Sequence, residues 1–141
     1  MNAPTPMGYG LALVAVAMTV LWLTASGDAD AHHSFGIFDV QSRRTIEGKV
    51  VEFEWTNPHT WAWVDVENED GTVTRWGLEG RSPNYLNRNG WTKRTLQPGD
   101  RVTMVVSPVR TGQPGGALLY VTLPDGTEKV MYGNLLATGR L

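Results

Sequence analysis

Cysteine is absent from the 141 residues. That excludes disulfides, thiolate metal sites and a cysteine nucleophile, and it leaves nitrogen and oxygen as the only ligands for a metal. Histidine is scarce, with three in the chain: His32, His33 and His59. A basic excess is also missing, since 12 Lys and Arg stand against 14 Asp and Glu. The positive footprint of a nucleic-acid binder is therefore lacking, as is the charge for docking on an anionic membrane surface. Ser34 has no G-x-S-x-G context, which argues against a nucleophile. There is no phosphate-cradling glycine motif, and Gly115-Gly116 reads as part of a turn. The N-terminal apolar run, Leu11 to Leu23, is 13 residues long. It is short for a membrane span and suits the apolar part of a signal peptide.

Ala29-Asp30-Ala31 follows that run with the small-x-small pattern read by signal peptidase. The expectation is a signal peptide over 1–31, a single domain over 32–141, and a periplasmic location. Met1 to Ala31 carries no Lys or Arg, which is unusual for a signal peptide. Met7 to Ala25 spans 19 residues, long enough for an uncleaved anchor, and membrane contact would be confined to that segment. Cleavage after Ala31 leaves 110 residues, enough for one small core. Asp28 and Asp30 leave with the leader, so the remainder balances at 12 basic and 12 acidic residues.

The mature region reads as short strands separated by turns. Thr45 to Trp55 is rich in β-formers and is broken by Asn57-Pro58. His59 to Glu67 has period two, with Trp61, Trp63 and Asp65 alternating against Ala62, Val64 and Val66. Asp70-Gly71 is a hairpin turn into a third strand, Thr72 to Leu78. Ser82 as N-cap, Pro83 at the first position and Gly90 at the end predict a short helix. Three further strands follow, over Arg101–Ser107, Ala117–Leu123 and Thr127–Tyr132. This order predicts an all-β fold, a small OB-like Greek-key barrel of five to six strands with one short helix after strand three. The loop between strands one and two, Thr56 to His59, would lie at the binding rim common to such barrels.

Three groups of residues could carry chemistry. The first is histidine. A mature His32 would offer its α-amine and its ring to one ion, with His33 beside it, and imidazole is a common ligand for copper, zinc and nickel. His59 could add a third nitrogen and give a T-shaped copper site resembling the histidine brace of copper monooxygenases. Tyr132 or Glu79 could stand as an outer ligand. Cleavage after Ala29 would instead give Asp30-Ala31-His32, a square-planar copper or nickel chelate. Alternatively, His32 and His33 are polar residues of a frayed terminus and His59 bonds within its loop, where Asn57 makes its own turn bond.

The second group is tryptophan, with Trp55, Trp61, Trp63, Trp76 and Trp91 in the mature region. Trp61 and Trp63 point the same way. Aromatic residues dominate small cores, so filling the barrel is the expectation for this pair. Facing outward, they would form a stacking platform for a ligand or partner. The opposite face, Ala62, Val64 and Val66, is equally apolar, so one of the two faces needs a cover other than the barrel core. The third group is the carboxylates Glu52, Glu54, Asp65, Glu67 and Glu79. Glu52 and Glu54 could do acid–base work, but charge on a solvated strand face explains them more simply.

Several segments resemble a family of small exported bacterial proteins known only as a domain of unknown function. They are Ala31-His32-His33-Ser34-Phe35, Glu54 to Thr60, Trp76-Gly77-Leu78-Glu79-Gly80, Gly90-Trp91 and Leu96 to Asp100. The resemblance implies export and one compact domain, and it implies no activity. The resulting expectation is a non-catalytic periplasmic module binding copper through its amino-terminal histidines. The alternatives are a copper-dependent oxidase, and a metal-free module that docks a periplasmic protein or small ligand through Asn57, Trp61, Trp63 and Glu79.

Overall fold

In the computed structural model, which describes residues 34–133, the first long strand is β1, Arg44–Glu54. Its length lets it serve two neighbours. Lys49 to Glu54 pair with β2, Trp61–Glu67, while Arg44 to Lys49 pair with β4, Arg101–Pro108. Gly48 sits where the strand curls. A Cβ there would lie 2.5 Å from Val64 Cγ1 and 2.7 Å from the Asp65 carbonyl oxygen, so only glycine lets β1 press this closely on β2. A register shift between Val50 and Glu52 bends the same strand further.

The chain turns from β2 into β3, Val73–Glu79, around Asp70-Gly71. Gly71 takes φ +79°, and Thr72 N donates to Asp70 Oδ1 at 2.9 Å. The helix α1, Pro83–Arg88, begins as its residues dictate: the Ser82 hydroxyl accepts from Tyr85 N, and Pro83 occupies the first turn. Gly90, with φ +73°, follows its C-cap Asn89. The remaining strands are β5, Gly115–Thr122, and β6, Glu128–Val130. A 3-10 turn, Ser34–Ile37, leads into Phe38, which bridges to Val109.

The sheet order is β3-β2-β1-β4-β5-β6, and β3 also pairs with β5 in parallel. That last pairing closes five strands into the expected OB-like Greek-key barrel, with the short helix after strand three and β6 added at the margin. Ile46, Val50, Ala62, Val64, Trp76, Leu78, Met104 and Leu118 are buried in its core. Leu86 of α1, Trp91 and Leu96 join the same cluster. Trp91 also donates Nε1 to the Val130 carbonyl at 3.0 Å, tying the segment after the helix to β6.

Three sequence expectations need correction. Trp61 and Trp63 do not fill the barrel: Ala62 and Val64 are the buried residues of β2, and the two indoles lie half-buried on the outer face. Trp76 and Leu78 of the neighbouring strand already occupy the interior. Gly115 and Gly116 are not a turn but the first residues of β5. They lie at the closing seam, where a Cβ on Gly116 would stand 2.5 Å from the Ser107 carbonyl oxygen. The sixth strand is shorter than Thr127–Tyr132, because the amides of Met131 and Tyr132 both turn to the Leu119 carbonyl, at 2.8 and 3.1 Å.

Candidate functional site

The loop between β1 and β2 is fastened to the end of β3. Gly80 N donates to the Thr60 carbonyl at 2.8 Å, and Thr60 donates to the Arg81 carbonyl from its amide at 3.2 Å and from its hydroxyl at 3.0 Å. The hydroxyl of Thr56 reaches the His59 carbonyl at 3.3 Å, and the Asn57-Pro58 peptide is cis. Asn57 itself is exposed near the loop tip. These contacts deliver His59 to the last residue of β3. His59 Nδ1 lies 2.7 Å from Glu79 Oε1. That distance suits an ion pair, although the carboxylate oxygen has no aligned hydrogen-bond donor, so the attraction is mainly electrostatic. Glu79 is 5% exposed, whereas the His59 side chain keeps 35% of its surface open.

Burial pushes the Glu79 carboxyl above its ordinary range, and the neighbouring His59 pulls it part of the way back. Tyr132 stands close by, its hydroxyl donating to the Gly80 carbonyl at 2.9 Å. Burial raises its phenol, the Glu79 charge adds to the rise, and Arg81 opposes it. The Arg81 guanidinium lies over the rings of Tyr85, at 4.2 Å, and Tyr132, at 4.9 Å. His59 thus has a buried carboxylate beside Nδ1 and a side chain partly open to solvent. Histidines that hold metals or shuttle protons commonly show this arrangement.

Next to this pair lies the outer face of the β1–β2–β3 sheet. Trp61 and Trp63 stack with ring centroids 5.9 Å apart and planes 18° from parallel. Glu54 faces Trp61 and Glu52 faces Trp63 across β1. Glu79 and Gly77 face the same two tryptophans across β3. The Trp63 indole donates Nε1 to Glu54 Oε1 at 2.6 Å. One row further along, Arg75 grips Asp65 at 2.8 and 3.0 Å, which holds the Asp65 carboxyl below its usual range. An open cleft of about 640 Å³ along Glu47, Gly48, Lys49, Asp65 and Arg101 does not include His59, Glu79, Trp61 or Trp63.

The structure thus brings together His59, Glu79, Trp61 and Trp63, with Asn57 on the loop above. His32 and His33 lie outside the described residues, so the terminal chelate has no described geometry. Among the described residues there is no cluster of three or more His, Asp or Glu side chains able to hold a metal; His59 and Glu79 remain a pair. Tyr132, considered as an outer ligand, directs its hydroxyl to Gly80 instead. Sequence reasoning missed the bond from Trp63 to Glu54 and the meeting of His59 with Glu79. The second had a signal: counting outward equally from Asp70 along the hairpin places Trp61 opposite Glu79, with His59 just beyond the strand end.

A sequence model for a family of unknown function, DUF6152, matches residues 20–118. The match contains all three histidines and stops short of β6 and Tyr132. No curated protein and no solved structure matches the chain.

Proposed function

The chain belongs to the DUF6152 family of unknown function, and from its own residues we propose that it is an exported periplasmic binding module that holds copper through His32 and His33, with His59 as a further ligand. The observation that carries this reading is the His59–Glu79 contact at 2.7 Å. Ligating histidines usually have a carboxylate or carbonyl beside the ring nitrogen that does not bind the metal, and Glu79 stands in that place beside Nδ1 of His59. The donor set also fits, because a cysteine-free chain offers nitrogen and oxygen ligands and imidazole suits copper. An amino-terminal His32 would add its amine and ring as a linked pair, so its second bond forms with little further entropy loss.

Mass spectrometry of the exported protein tests the terminus, with His32 expected as the first residue. Calorimetry with Cu(II) tests the ion, and about one equivalent is expected to bind. An extra residue ahead of His32 blocks the amine and leaves every side chain in place. Unchanged affinity in that protein would sink the terminal chelate. Glu79→Gln should weaken binding by about tenfold if His59 is a ligand. No change there would remove His59 from the site.

A further inference from the structure

The outer face of β1–β3 has a chemistry of its own that does not depend on copper. Across its two upper rows it offers two stacked indoles, Trp61 and Trp63, flanked on β1 by Glu54 and Glu52. Trp63 is fixed by its bond to Glu54 and by Gly77, on which the ring rests. That bond uses the indole N–H of Trp63 and one oxygen of Glu54, leaving the second carboxylate oxygen of Glu54 to accept. Glu52 is exposed, and it has no cationic partner among the described residues. The cations of the next row do not neutralise the patch: Arg75 is engaged with Asp65, and Lys49 faces Asp65 across the strands.

On its β1 side the face therefore combines flat π surfaces with an edge of acceptors. A ligand matched to it must be planar, cationic and rich in donors. Guanidinium meets all three conditions, since it carries five donors and no acceptor, stacks on aromatic faces and forks onto carboxylates. Lysine supplies charge without a plane. A neutral sugar would stack, but it brings no charge to offset Glu52 and Glu54. A nucleic-acid strand would set its phosphates against those carboxylates. We infer that Trp61, Trp63, Glu52 and Glu54 form a docking site for an arginine side chain of a partner protein, the guanidinium lying on the indole stack with its edge toward the two carboxylates.

The test uses the mature chain in chelator-treated buffer, so that failure of the copper reading leaves it untouched. The probe is a blocked Gly-Arg-Gly peptide, followed through the indole N–H resonances. Its counterparts carry citrulline or lysine in place of arginine, and cellotetraose serves as a neutral sugar. Arginine peptide should move the Trp61 and Trp63 resonances selectively, and citrulline should bind about tenfold more weakly or not at all. Glu52→Gln, at an exposed position that leaves the fold intact, should weaken the arginine peptide several-fold; Trp61→Ala should abolish the response. Equal shifts with citrulline, stronger binding of cellotetraose, an unchanged response in Glu52→Gln, or no response to the arginine peptide would each overturn the assignment.

Discussion

Trp63 and Gly77 face each other across β2 and β3, and the indole fills the space that a side chain at 77 would need. A Cβ on Gly77 would lie 2.7 Å from Cζ3 of Trp63. Gly77→Ala must therefore lift the ring and loosen its bond to Glu54. The expected cost is about 1–3 kcal/mol, read by urea denaturation, with a weakened near-ultraviolet dichroism of the indole pair. Unchanged stability and spectrum would show that the ring is not seated on Gly77.

Glu79 gives a pH dependence whose sign follows from burial. Its carboxyl is raised in the folded chain, so the native state keeps a proton at pH values where the unfolded chain has lost it. That stabilisation is complete below the ordinary glutamate value of about 4.3, and it fades as pH rises through the raised value. Glu79→Gln removes the titration. In metal-free protein, the stability of the variant relative to wild type should rise with pH from about 4 upward. Denaturation curves at several pH values that move in parallel for the two proteins would refute this.

Ser107 makes the opposite kind of case. It is 1% exposed, and its hydroxyl finds no partner among the described residues. A buried hydroxyl without a hydrogen bond costs about 1–3 kcal/mol. Ser107→Ala should accordingly leave the thermal midpoint unchanged or raise it by a few degrees. A clear fall would mean that the hydroxyl is satisfied in solution.

Gly48 should tolerate nothing larger. Its close neighbours include the Asp65 carbonyl oxygen, at 2.7 Å from a built Cβ, and backbone cannot swing aside as a side-chain tip can. Gly48→Ala should lose more than about 3 kcal/mol, seen as insoluble expression or a collapsed thermal midpoint. A variant of near wild-type stability would mean that β1 and β2 can separate without opening the barrel.

The order of the elements could be read from the sequence because local chemistry sets it. Asp70-Gly71 makes its turn, Ser82-Pro83 starts its helix, and period-two stretches become strands. The inward face of β2 could not be read the same way, because both faces are apolar. What decides it is Gly77 on the next strand, which opens a seat for Trp63 outside the barrel. Gly115-Gly116 misled for a related reason. Glycine pairs mark turns in most contexts, and here they mark a close approach of β5 to β4. The candidate site was legible as residue types but not as an assembly. The meeting of His59 with Glu79 depends on hairpin register and on the Thr60 clamp, both long-range facts.

The closure of the barrel rests on three parallel pairs, Gly77 with Gly115, Leu78 with Gly116, and Glu79 with Ala117. Two of the three β5 residues have no side chain, so at those rungs the two backbones meet directly. Unzipped there, the protein becomes an open six-stranded ribbon with β3 and β6 at its margins, and bare strand margins recruit those of another copy. Glu79, beside which His59 lies, is also one of these rungs, so the candidate site and the closing seam share a residue.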